Sequence, residues 1–332
     1  MNNITNAQNP FYGQYHTPHE TVPFDRIETE HYEPAILEGI KLQNAEIEAI
    51  IQNPEKADFT NTIEAFEESG ELLDKVVAVF GNMLSAETND DLQELAQKIM
   101  PLLSEHSNNI TLNKKLFARV KEVYNQKETL QLTQEQKQLL ENAYNSFIRH
   151  GSNLEGEARE EYRRLTTELS KLTLTFSENN LKETNAYQML LTKKESLAGL
   201  PEIIIEAAAE TAKNEEKEGW AFTLHAPSYI PFMTYSDNRD LRQKLYMAYN
   251  TKCTHDNEFN NIDIVKKIAN TRMKIAQLLG YKDYAEYTLK KRMAENSKSV
   301  YKLLNQLLEA YTPTAQQEYK AVSYTHLTLP TN

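Results

Sequence analysis

The stretch EAREEYRRLTTELSKLTLTFSENNLKE, from Glu157 to Glu183, decides the fold class. Leu165, Leu169, Leu172 and Phe176 recur at steps of three and four, the spacing that lines one face of an α-helix. The segment is long enough to pack against antiparallel neighbours, and such neighbours are legible on its N-terminal side. Thr133 with Gln136 forms a capping box that opens a helix carrying Leu139, Leu140, Ala143, Tyr144, Phe147 and Ile148, and Gly151 supplies its stop. A short helix covers Leu116 to Val123. Before it, Leu92, Leu95 and Ile99 mark a helix that Pro101 is expected to kink or break. Asn61 with Glu64 reads as a further capping box, followed by the stripe Ile63, Phe66, Leu73, Val77, Phe80 and Leu84. The first helix has Pro34 in its opening turn, Ile36 to Ile51 at near-helical spacing, and Asn53-Pro54 at its end. Residues 1–29 are rich in Pro, His and Tyr without helical period and read as an extended arm.

On the C-terminal side the pattern changes between Asn185 and Tyr235. Tyr187 to Leu191 and Trp220 to Leu224 read as short strands flanking a helix from Leu200 to Glu216. Ala226 to Met233 contains Pro227 and Pro231 and reads as a loop. Helical periodicity resumes at Asn238 and runs to about Tyr319, with Gly280 separating two helices. The last ten residues, from Ser323 to Asn332, carry no charge and are not expected to continue the preceding helix.

Composition agrees. Glycine occurs 9 times in 332 residues, under half the usual ~7%, which disfavours folds built on tight turns and phosphate loops. A chain of this length holds one or two domains and buries roughly 75% of its unfolded surface. The net charge of −12 argues against nucleic acid or an anionic membrane as the main partner. Cys253, the single cysteine, excludes an internal disulfide and any multi-cysteine metal site. No apolar run approaches the ~20 residues of a membrane span. Met1 to Gln14 lacks the basic and apolar regions of a signal peptide. The expected compartment is the cytoplasm.

Chemistry-bearing motifs are scarce. No glycine-rich phosphate loop, Gly-x-Ser-x-Gly elbow, His-Glu-x-x-His or inverted version of it occurs. His16-Thr17-Pro18-His19-Glu20 could bring two imidazoles together but reads as a surface loop. His31, between Glu30 and Glu33, reads as a helix-start cap rather than a metal ligand. Cys253, His255 and Asp256 are close in sequence, yet a nucleophile pair needs a third orienting group, so a structural role is expected. His106, His150 and His225 are isolated and read as capping or packed side chains. The carboxylate pairs Glu67/Glu68, Asp90/Asp91, Glu160/Glu161 and Glu215/Glu216 fall on helix surfaces or starts. The 18 tyrosines could line a peptide groove but more often serve helix packing. From spacing alone, no catalytic, cofactor-binding or metal-ligating residue is assigned.

An ordered series of segments nevertheless resembles the thimet oligopeptidase family of zinc metallopeptidases, in its bacterial dipeptidyl carboxypeptidase and oligopeptidase A branch. They include Asn9-Pro-Phe11, Pro23-Phe-Asp-Arg-Ile27, Glu30-His-Tyr-Glu-Pro-Ala35, Phe59-Thr-Asn-Thr-Ile63, Leu169-Ser-Lys-Leu172, Phe176-Ser-Glu-Asn179 and Leu197-Ala-Gly-Leu-Pro-Glu202. Most specific is Pro227-Ser-Tyr-Ile-Pro-Phe-Met-Thr-Tyr235 followed by Asn238-Arg-Asp-Leu-Arg242 and Ala248-Tyr249. Ala276-Gln-Leu-Leu-Gly280, Tyr284-Ala285 and Arg292-Met-Ala294 continue the series. The resemblance implies a mainly α, two-lobed peptidase enclosing a channel. Its zinc is held by a His-Glu-x-x-His helix and a later Glu, in a C-terminal half that this chain does not match. It implies short peptides as substrates and a monomeric parent.

None of those ligand positions exists here, so no functional residue carries over. The expected organisation is an arm at 1–29, an N-terminal helical domain at 30–184, a mixed segment and the start of a truncated catalytic domain at 185–320, and a tail foreign to the protein at 321–332. The chain alone is expected to hold no zinc and to be inactive. The alternative reading is a non-catalytic helical module that binds peptides or proteins. Because the helices after Asn238 would lack partners from the missing half, Leu303, Leu304, Leu307 and Leu308 are expected to be exposed.

Overall fold

The computed structural model describes residues 9–327. It is mainly helical, with one small two-stranded sheet. The chain divides into two units, Met1–Thr271 and Arg272–Asn332.

In the first unit the stretch read as an extended arm contains three short 3-10 turns, Pro10–Tyr12, Pro18–Glu20 and Phe24–Arg26. It is docked because Phe11 is buried, its ring 5.4 Å from that of Tyr32. The Asn9 amide donates to the His31 carbonyl at 2.8 Å. The Lys75 ammonium donates to the Gly13 carbonyl at 2.8 Å and lies 4.0 Å above the Tyr15 ring.

Helix α1 (Thr29–Gln52) starts earlier than Pro34 suggests. The His31 ring accepts the Glu28 N–H at 2.8 Å, which satisfies a helix-start donor one turn before the proline. The second capping box also shifts. Asp58 accepts the Asn61 N–H at 2.7 Å, and Asn61 accepts the Asp58 N–H at 3.0 Å. The chain then winds through a π-helical turn, Phe59–Glu64.

Helices α2 (Glu71–Ala86), α3 (Asp90–Thr111), α4 (Lys114–Asn125), α5 (Gln134–Arg149) and α6 (Gly156–Ala186) follow. Pro101 does not break α3. It removes one backbone bond, at about 3 kcal/mol, while buried Leu92, Ala96 and Ile99 before it and Ile110 after it fasten both halves to core. Thr133 and Gln136 form the expected box on α5, and Gly151 stops that helix at φ +85°. One apolar cluster joins α1 to α4 and α5 through Ile47, Ile50, Phe117, Leu140 and Phe147. Another joins the arm, α1, α2 and α3 through Phe11, Tyr32, Ile36, Phe80 and Ile99.

Strand β1 (Gln188–Leu191) pairs antiparallel with β2 (Trp220–Thr223), Met189 opposite Phe222, and α7 (Glu202–Asn214) lies between them in sequence. The segment expected as a loop is instead α8 (Ala226–Tyr235). Pro227 sits in its first turn, where the missing N–H costs nothing, and Pro231 forfeits one bond. Phe232 is fully buried with its ring 4.6 Å from Phe222, a burial worth about 2–3 kcal/mol that offsets the loss. Helix α9 (Arg239–Asn250) packs on α8 and buries Leu245. Helix α10 (Ile262–Leu278) crosses the division at Thr271.

The second unit breaks at Gly280, whose φ of +83° suits glycine, as expected from its position. Asp283 caps α11 (Tyr284–Leu289) by accepting the Glu286 N–H at 2.8 Å. Tyr281, Tyr284 and Tyr287 cluster there, and the Arg272 guanidinium sits 5.5 Å above the Tyr284 ring. Helix α12 (Ser297–Leu327) runs past Ser323, where a break was expected. Ser323 to Leu327 holds neither glycine nor proline, and extending an existing helix costs little. Residues 328–332 of the expected tail lie outside the described residues. Leu303, Leu304, Leu307 and Leu308 are exposed on α12 as anticipated. Among the described residues no helix is long and apolar enough to cross a membrane.

Candidate functional site

The polar cluster that gathers sequence-distant chemistry forms around Glu183, in the last turn of α6. An anion at a helix C-terminus opposes the macrodipole by about 0.3–1 kcal/mol, so this carboxylate needs donors, and the loop between α9 and α10 supplies them. The His255 Nδ1 lies 2.8 Å from Glu183 Oε1, the Asn257 amide donates to the same oxygen at 3.3 Å, and the Cys253 backbone N–H donates to Oε2. Beside it, the Lys252 ammonium donates to Thr184 Oγ1 at 3.1 Å and lies 4.6 Å above the Tyr249 ring. Asn261 closes the loop. Its N–H donates to the Cys253 carbonyl at 2.8 Å, and its side chain donates to the Phe176 carbonyl at 2.9 Å.

Burial acts to raise the Glu183 pKa, but the bonds from His255, Cys253 and Asn257 outweigh it and hold the carboxyl below its usual range. Cys253 moves the other way. Burial, then its bond to Glu183 and that residue's negative charge, push the thiol up to about 11. The His255 ring spends its second nitrogen on Thr251, at 3.2 Å. A nucleophilic cysteine needs a lowered pKa and an imidazole base of its own. Here the acid raises the thiol and takes the imidazole for itself, so the arrangement fastens a loop and does not activate sulfur. Asp256 lies exposed beside it.

Glu183's depressed pKa has a pH consequence. The stability it contributes is complete above the ordinary glutamate value and is lost as pH falls through the lower folded value. The difference in urea midpoint between the native chain and Glu183→Gln is therefore expected to be widest above the ordinary glutamate range and to narrow progressively as pH falls below it. A difference independent of pH over that range would exclude a charge-based contribution.

The remaining candidates do not converge. His19 lies on the exposed Pro18–Glu20 turn, and His16 is exposed just before it. His31 caps α1. His106 is buried with its Nε2 2.7 Å from Gln43 Oε1, and burial lowers its pKa. The His150 Nδ1 is 2.7 Å from the Ser146 carbonyl at the end of α5, and His225 is exposed before α8. Of the carboxylate pairs, Asp90 and Asp91 occupy the first turn of α3, Glu161 pairs with Arg164 at 2.7 Å, and Glu215 pairs with Lys217 at 2.7 Å. Among the described residues no three His, Cys, Asp or Glu side chains group as a metal site. Glu183 was the residue sequence reasoning passed over. Its signal was an acid in the last turn of a long helix, which requires a partner from elsewhere.

The fold is mainly α, with one small two-stranded sheet among the described residues. The sequence model of peptidase family M3 matches residues 232–327. The chain is 33% identical over 317 residues to the dipeptidyl carboxypeptidase of Escherichia coli K12, covering 95% of this chain and 46% of that protein. It is 32% identical over 300 residues to oligopeptidase A of Haemophilus influenzae, covering 89% of this chain and 44% of that protein. A probable cytosolic oligopeptidase A of Arabidopsis thaliana is 28% identical over 324 residues, covering 95% of this chain and 45% of that protein. The chain belongs to the thimet oligopeptidase family, and it spans less than half the length of these relatives.

Proposed function

We propose that this chain forms the N-terminal helical part of a cytoplasmic, zinc-dependent peptidase that hydrolyses short peptides, as a peptidyl-dipeptidase or an oligopeptidase. One observation carries the reading: 33% identity to a dipeptidyl carboxypeptidase sustained over 95% of this chain. In this reading residues 30–184 are the first helical domain and residues 185–320 begin the catalytic part. The residues present do not fit the metal. A catalytic zinc needs three protein ligands with an open position, and no such group exists among the described residues. No catalytic step is therefore derived from this chain.

The test is metal analysis of the purified chain together with a quenched-fluorescence peptide assay. The expected result is no stoichiometric zinc and no cleavage. One chelator-resistant zinc per chain with peptide hydrolysis would show that the site is already complete. The missing catalytic set also favours a second reading, a module that binds peptides without cutting them. Saturable binding of an uncleaved short peptide to the chain alone would support that reading.

A further inference from the structure

The loop after α9 is fastened by polar bonds rather than by apolar burial. Residues 254–258 are exposed, and Cys253 is the buried side chain at its start. Cys253 also holds a left-handed backbone, φ +57°, which a non-glycine residue keeps only where its surroundings enforce it. On one side the Glu183 carboxylate receives the Cys253 N–H, the His255 ring and the Asn257 amide; on the other the Asn261 N–H donates to the Cys253 carbonyl at 2.8 Å and the Asn260 amide to the His255 carbonyl at 2.6 Å. At the far end Asn261 is anchored separately, on the Phe176 carbonyl.

We propose that Glu183 is the keystone of a releasable latch: its charge pins residues 253–258 to the end of α6, and removing that charge frees the loop locally and uncovers Cys253 while Asn261 and the flanking helices stay in place. Segments held by exposed polar bonds with little apolar burial open at lower free energy than the core around them. Charge-assisted bonds to a mostly buried carboxylate, 12% exposed, dominate this segment's closure. The inference concerns this loop alone and does not rest on the peptidase reading.

Because Cys253 is the single cysteine, its alkylation reports the latch directly. The 332-residue chain and Glu183→Gln would be treated with iodoacetamide at one pH, with backbone amide exchange followed by mass spectrometry. Alkylation of Glu183→Gln is expected to be faster by about tenfold or more, as loss of charge-assisted bonds implies. Exchange should rise in residues 253–258 and stay unchanged in α9 and α10. Equal alkylation rates overturn the proposal. So does faster alkylation with unchanged exchange in the loop, which would mean only a more acidic thiol. Exchange rising equally through α9 and α10 overturns it too, since the release would not be local. Should Glu183→Gln not fold, Asn257→Ala removes one donor and is expected to shift both readouts the same way by less; no shift in either overturns the latch.

Discussion

Phe80→Ala is expected to destabilise the first unit by about 3–5 kcal/mol, read as a lowered urea midpoint by circular dichroism. Phe80 is 0% exposed, its ring lies 5.2 Å from that of Tyr32, and Tyr32 in turn contacts the buried ring of Phe11. Removing the ring takes away the transfer energy of a whole aromatic side chain. It also leaves a cavity that three helices and a docked arm can only partly close. The same substitution should release the arm, because Phe11 is held through Tyr32. Limited proteolysis within residues 9–28 should therefore quicken in step with the loss of stability. A cost below about 1 kcal/mol would mean that the arm, α1, α2 and α3 do not share one core.

Much of this core was legible in advance because it follows from periodicity. The stripe containing Phe80, the box at Thr133 and Gln136 and the stop at Gly151 are local signals with local causes. The errors share a physical origin as well. Pro101, Pro227 and Pro231 each predict an interruption, since a proline removes one backbone bond. Whether the helix survives depends on burial on either side, and Phe232 against Phe222 is a strand-to-helix contact that neither helical nor strand periodicity signals. The shift of the second capping box from Asn61 to Asp58 is smaller in kind: both residues are good caps, and the π-helical turn decides between them.

The polar cluster was half legible. Cys253 and His255 stood out as neighbours, and a structural role for them was the expectation. What could not be read was that the third group is Glu183, about seventy residues earlier, or that it would oppose thiolate formation rather than promote it. A Cys, a His and a carboxylate make a nucleophile or a fastening according to which partner holds the proton donors. Connectivity in space settles that. The catalytic metal of the family was never legible here, because no ligand motif for it occurs in the sequence.

Gly199→Ala is expected to cost about 2–3 kcal/mol, in contrast to a neutral or slightly stabilising Gly81→Ala. Gly199 has φ +85°, and a Cβ there would lie 2.3 Å from the Tyr235 carbonyl oxygen and 2.8 Å from Asp237 Oδ1. The first contact is with backbone that cannot swing aside, because the Asp237 N–H donates to the Ala198 carbonyl at 2.9 Å and ties the end of α8 to this turn. The substitution thus combines an unfavourable dihedral with a steric overlap. Relief requires moving α8, and moving α8 withdraws Phe232 from the sheet. Gly81 lies within α2 with open space where its Cβ would stand, so alanine there gains helix propensity and meets nothing. Both variants would be compared by urea denaturation, with Trp220 fluorescence reporting on β2 beside the strained turn. If Gly199→Ala matched Gly81→Ala within about 0.5 kcal/mol, the close approach of α8 to this turn would be wrong. The short mixed segment would then owe its order to the sheet pairing alone.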